Sequence, residues 1–148
     1  MSAAILTQAM VFNQAVYGAD PVIAIETVLS TRKYNPILDI ASQRNFPVGL
    51  IYVSVRSVEL TLKHIETRVA AGLHNVPEAA VRKRWPLTMA NMVSWAPRVD
   101  QLIVFANNNP DGRLVRVAQK VSRHAQVQIL DREELPELVE LLSTAQTV

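Results

Sequence analysis

The sequence predicts an α/β domain with a mainly parallel sheet covered by helices on both faces. Two observations carry that expectation. Segments with helical periodicity alternate with short β-branched runs, and those runs are apolar at successive positions, as strands buried on both sides are.

Residues 3–17 place Ile5, Leu6, Met10, Val11 and Val16 among polar neighbours, which predicts an amphipathic helix stopped by Gly18. Val22-Ile23-Ala24-Ile25 reads as a buried strand with Glu26-Thr27 at its carboxyl end. Ser30 or Thr31 is placed to cap a helix over 33–45, with Tyr34, Ile37, Leu38 and Ala41 as its apolar stripe. Pro47 opens a second strand through Val55, and Ser57 caps the next helix, whose inner face carries Leu62, Ile65 and Val69. Gly72 ends that helix, and His74-Asn75-Val76-Pro77 is a loop because Pro77 biases its predecessor away from helical geometry. A helix then starts at Glu78 and runs through about Val93, with an offset or kink at Pro86. Leu102-Ile103-Val104-Phe105 is a third strand, and residues 107–112 form a turn. Residues 113–121 and 126–130 read as short edge strands, and 132–143 as a closing helix.

The 148 residues suit a single domain over 1–148, with no repeat, low-complexity tract or linker to divide it. Hydrophobic residues at 49% against 19% charged exclude a disordered chain. Fifteen Lys and Arg nearly balance 13 Asp and Glu, and aromatic interleaving is confined to Trp85, so a nucleic-acid partner is not expected. The absence of cysteine excludes disulfides, thiolate nucleophiles and zinc–cysteine sites. His64, His74 and His124 share no metal-ligand spacing, and no metal site is expected. The start lacks a signal-peptide pattern, and no apolar run reaches the roughly 18 residues of a membrane span. Cytoplasmic placement without membrane contact is the resulting expectation.

Open α/β sheets bind ligands at the carboxyl ends of their strands, where Glu26-Thr27 and Asn107-Asn108 fall. A carboxylate there can take a hydroxyl proton or bind a sugar-like hydroxyl; it can equally be a helix cap or a solvated turn. Arg68, then Arg82, Lys83 and Arg84, flank the loop 70–77. Two helices hinged by such a loop could close arginines over phosphates as a lid, or the cluster is a solvated basic face paired with Glu66 and Glu78. Arg82 and Arg84 lie two positions apart and cannot both face one ligand.

Taken together, Ala24-Ile25-Glu26-Thr27-Val28-Leu29-Ser30, then Arg68-Val69-Ala70-Ala71-Gly72-Leu73-His74-Asn75-Val76-Pro77-Glu78, then Val81-Arg82-Lys83-Arg84-Trp85-Pro86, resemble the zeta-toxin-like P-loop kinases. Phe105-Ala106-Asn107-Asn108 is similar to a later piece of that family's pattern, and the resemblance spans about residues 5 to 120. It implies an ATP-dependent small-molecule kinase of the kind that phosphorylates UDP-N-acetylglucosamine, from a family known for toxin–antitoxin pairs. By the same resemblance, Glu26 and Thr27 line the substrate pocket, Arg68 with Arg82 or Arg84 are phosphate-binding lid residues, and Asn107 lies near the nucleotide.

The departures decide what activity is expected. None of Gly18, Gly49, Gly72 and Gly112 precedes a Gly-Lys pair, so G-x-x-x-x-G-K-[ST] is missing. The family's general-base aspartate would also precede Met1. No catalytic residue is therefore assigned, and the expectation is an incomplete P-loop kinase-like fold, inactive alone. ATP and Mg²⁺ would bind weakly or only with a complementing chain. The alternative is a non-catalytic nucleotide- or protein-binding module, dimerising through its sheet edge. The family's phosphate-loop strand lies between the counterparts of 22–27 and 47–55. Those two strands are accordingly expected to pair directly through a crossover, or to be bridged by another chain.

Overall fold

The computed structural model describes residues 24–146. The helix expected over 3–17 and the start of the strand expected at 22–25 lie outside those residues. Within them the chain is a mixed α/β domain with an open four-stranded sheet and four helices.

Residues 24–30 carry no regular secondary structure. Helix α1 spans Asn35–Gln43 and buries Leu38 and Ala41. Neither Ser30 nor Thr31 caps it. Tyr34 occupies the cap position without a side-chain bond, and a proline in the first turn supplies the helical φ instead. Strand β1 (Gly49–Ser54) follows, then α2 (Val58–Ala70), whose cap is the expected Ser57, its Oγ accepting from Leu60 N at 3.2 Å. Gly72 takes φ 83° just past the helix end, a conformation that favours glycine. Helix α3 (Glu78–Trp95) is one continuous element with Pro86 inside it.

Strands β2 (Gln101–Ala106), β3 (Val115–Lys120) and β4 (Gln128–Ile129) complete the sheet, and α4 (Pro136–Ala145) closes the described chain. Helix α4 starts later than the expected 132. Asp131 Oδ1 accepts from the Glu133 and Glu134 amides at 2.8 and 3.0 Å, which holds that stretch in a turn.

The strand order is β1-β2-β3-β4. β1 and β2 pair in parallel, from Gly49 opposite Gln101 to Ser54 opposite Ala106, with α2 and α3 as the crossover. The pairs β2–β3 and β3–β4 are antiparallel, so the described sheet is mixed rather than mainly parallel. Chain length is the reason: a short turn beginning at Asn107 can only bring the chain back beside the strand it left, whereas a parallel return needs a long crossover.

Pleating separates the two faces of β1 and β2. Leu50 and Tyr52 lie opposite Leu102 and Val104, and this face joins Met89, Met92 and Trp95 of α3 and Leu138, Val139 and Leu142 of α4 in the core. On the other face Ile51 and Val53 are 68% and 50% exposed, so the described helices do not cover both faces of β1. Helix α2 packs on α3 but has no fully buried residue. Its expected inner residues Leu62 and Ile65 are half-buried, and Val69 is exposed.

Two polar fastenings hold the amino ends of the sheet. Lys120, 4% exposed, donates through Nζ to the carbonyls of Ala96, Pro97 and Val99 at 3.0, 3.2 and 2.9 Å, capping the carboxyl end of α3. Asp100 Oδ2 accepts from Val48 N at 2.8 Å, and Arg123 binds both carboxylate oxygens at 2.8 and 3.2 Å. The Arg123 hydrogen bond holds the Asp100 carboxyl below its ordinary pKa. Unfolded Asp100 thus takes up its proton at higher pH than the folded residue. Its contribution is complete above the ordinary Asp pKa and is lost as pH falls through the folded value. Asp100→Asn should lower Tm at neutral pH and flatten the decline in Tm below about pH 4; an acid limb as steep as wild type would mean that other carboxylates set it.

Candidate functional site

A groove of about 670 Å³ runs along the edge of β1 that no described strand pairs with. One wall is the irregular segment 24–29, and the other is the strand edge and its exit, residues 50–55. His64 and Arg68 of α2 and Trp85 and Thr88 of α3 close it from the helical side, and Asn107 lines it just past β2.

The 24–29 wall is held by side chains of α3. Thr88 Oγ1 donates to Val28 O at 2.8 Å, and buried Asn91 donates through Nδ2 to Leu29 O at 2.8 Å. Thr88's only proton is thereby used, so the 3.3 Å contact with Tyr52 has the Tyr52 hydroxyl donating. Burial pushes the Tyr52 phenol above its ordinary pKa. Leu29 takes φ 53°, a left-handed conformation uncommon for a branched residue, while its side chain is 2% exposed in the core. Burial of Leu29 and the Asn91 bond together offset that backbone strain.

The direct pairing of 24–27 with β1 is not formed. Among the described residues no strand other than β2 lies beside β1, and the groove stands between β1 and 24–29.

The far end of the groove is fixed by the loops after β1 and β2. Asn107 N donates to Ser54 O at 2.8 Å, extending the parallel ladder. Asn108 accepts from Arg56 N at 2.7 Å and donates to Glu134 O at 2.8 Å and to the Glu134 carboxylate, so its amide is committed to holding two loops together. Asn107 Oδ1, in contrast, is buried without a hydrogen-bond partner among the described residues.

Of the residues expected at the site, Glu26, Thr27, Arg68 and Asn107 all line this groove. Thr27 Oγ1 also accepts from Leu29 N at 3.1 Å, a local turn that leaves its proton available. Arg82 lies elsewhere. Its guanidinium binds Glu78 at 2.8 Å and Glu59 at 3.1 Å, which raises its pKa through those two carboxylates and ties the start of α3 to the start of α2. Arg84 is exposed and does not border the groove. The pairing of Arg82 with Glu78 matches the solvated-face alternative, with Glu59 in place of the expected Glu66.

Sequence reasoning passed over His64 and treated Trp85 as a departure from a pattern. The signal for His64 was present, since it precedes Arg68 by four positions and so shares its helix face.

Among the described lining residues Glu26 is the one carboxylate of the groove, and no three described acidic or histidine side chains gather to hold a metal ion. No described helix is long and apolar enough to cross a membrane. Comparison with family models, curated proteins and solved structures returned no match.

Proposed function

We propose that the chain is the substrate-binding portion of a zeta-toxin-like, ATP-dependent small-molecule kinase, taking a nucleotide sugar in the β1 groove and transferring no phosphoryl group alone. The observation that carries this reading is the convergence of Glu26, Thr27, Arg68 and Asn107, from three separated segments, on one groove. Glu26 is suited to a sugar hydroxyl and Arg68 to a phosphate. Phosphoryl transfer depends almost wholly on positioning and charge stabilisation, and the 148 residues hold no G-x-x-x-x-G-K-[ST] loop to cradle ATP.

On this reading β1 and β2 are the parallel part of an incomplete P-loop kinase-like sheet. ATP and Mg²⁺ engage when a complementing chain brings the phosphate loop to the free edge of β1, in the cytoplasm. The expected result is that the purified chain binds UDP-N-acetylglucosamine at micromolar strength and releases no ADP when Mg-ATP is added. ADP release above background, or no binding of the nucleotide sugar, would contradict it.

The exposure of Ile51 and Val53 favours a second reading, a binding module that dimerises through the β1 edge. Sedimentation would then show a dimer that Ile51→Lys dissociates.

A further inference from the structure

We infer that the second face of the sheet is a docking surface for residues 3–17 of this same chain, which pack there as an amphipathic helix over Ile51, Val53, Ile103 and Phe105. The inference stands whatever the groove binds.

The composition of the strands calls for such a cover. Strands buried on both sides are apolar at successive positions, whereas strands with one wet face alternate. β1 reads Leu50-Ile51-Tyr52-Val53 and β2 reads Leu102-Ile103-Val104-Phe105, with no charged or amide side chain in either run. The described helices α1, α3 and α4 meet the Tyr52, Leu102 and Val104 side in the core. On the opposite side Ile51 lies beside Ile103 and Val53 beside Phe105. Ile103 and Phe105 are half-buried, and Ile51 and Val53 are exposed. β3 continues this side with Arg116 and Gln119, in register with Phe105 and Ile103. Those polar groups satisfy one another: Arg116 stands over the Phe105 ring at 5.9 Å and donates to Gln119 at 3.3 Å, and Gln119 donates to Gln128 at 3.0 Å. The antiparallel part of the face therefore suits water, and the apolar surface that lacks a cover is confined to β1 and β2.

The sequence before the described residues has the matching chemistry. Residues 1–19 hold no Asp, Glu, Lys, Arg or His. At helical spacing Ile5, Ala9, Phe12 and Val16 fall at i, i+4, i+7 and i+11, one apolar stripe, with Thr7 and Gln14 on the opposite side. A helix over 3–17 would be about 22 Å long, close to the roughly 20 Å of a six-residue strand. Ala24, the first described residue, borders the same groove as Ile51 and Val53. Residues 18–23 can span up to about 20 Å, enough to carry the chain around the edge of β1 onto that face. A second copy is the weaker occupant of this face, because four side chains fall well short of the roughly 800 Å² per partner that a stable dimer buries.

The chain has no cysteine, so a single introduced thiol reports its own cover. Maleimide labelling of Val53→Cys in the full chain is compared with that of Leu141→Cys, an exposed position on α4. Val53→Cys should react about tenfold more slowly than Leu141→Cys, at every protein concentration. Adding Phe12→Lys should restore most of the Val53→Cys rate and leave Leu141→Cys unchanged, whereas Thr7→Lys should alter neither. Equal rates at the two thiols overturn the inference. So does slow labelling that Phe12→Lys fails to relieve, which assigns the cover to another element, or slow labelling that quickens on dilution, which assigns it to a second copy. If Phe12→Lys unfolds the chain and quickens both thiols, the pair Phe12→Cys and Val53→Cys decides. A short bismaleimide should join the two within one chain, and joining between chains only, or none, overturns the inference.

Discussion

Lys120→Met should lower the unfolding free energy by about 3 kcal/mol, because it leaves three carbonyls at the end of α3 without their donor. Two of those bonds are buried, and the methionine side chain offers no replacement. Urea unfolding at neutral pH measures the effect, and a loss under about 1 kcal/mol would mean that water reaches those carbonyls. The same residue sets a pH trend. Burial lowers the Lys120 pKa, and Asp100 opposes the shift in part. The unfolded chain therefore binds more protons in the window between the folded pKa and the ordinary lysine value, so this residue's contribution makes stability rise with pH there. Lys120→Met should remove that rise as well as the bonds.

The second large effect concerns the groove wall. Asn91→Leu deletes the bond to Leu29 O and leaves a buried carbonyl unpaired beside a residue already in left-handed geometry. The expected cost is about 2 kcal/mol. Most of the disturbance should be local, because Thr88 and Asn91 are the described side chains that bind the Val28 and Leu29 carbonyls. Hydrogen exchange of the Leu29 amide, which donates to Thr27 Oγ1, should accelerate at least tenfold while the β2 amides keep their protection. Uniform acceleration across the sheet would show that the wall is not a separate unit.

How much of this was legible from the sequence depends on the range of the interaction involved. Ser57, Gly72 and the turn at 107–112 act within a few residues, and each was read correctly. The start of α1 was misplaced because Pro36 outweighed two good capping residues. The sheet direction was missed because strand runs at 113–121 and 126–130 do not reveal which way they pair, and the short connections before them do. Helix α2 has an apolar stripe but lies off the core, so periodicity overstated its burial. At the site, Glu26, Thr27, Arg68 and Asn107 could be proposed from strand ends and family pattern. Their meeting in one groove needed the fold. Arg82 could not be separated from Arg68 by sequence, since its carboxylate partners Glu59 and Glu78 come from two different helices. Lys120 and Asn91 carry no local signature at all, because every partner of theirs is distant in sequence.

The most direct test is the affinity of UDP-N-acetylglucosamine for Arg68→Ala beside Arg82→Ala, each titrated against wild type. Arg68 borders the groove without a carboxylate partner among the described residues, and Arg82 is committed to Glu59 and Glu78 away from it. The account predicts at least a tenfold loss for Arg68→Ala and less than a twofold change for Arg82→Ala. Equal losses, or a loss confined to Arg82→Ala, would contradict it and return the site to the loop between α2 and α3.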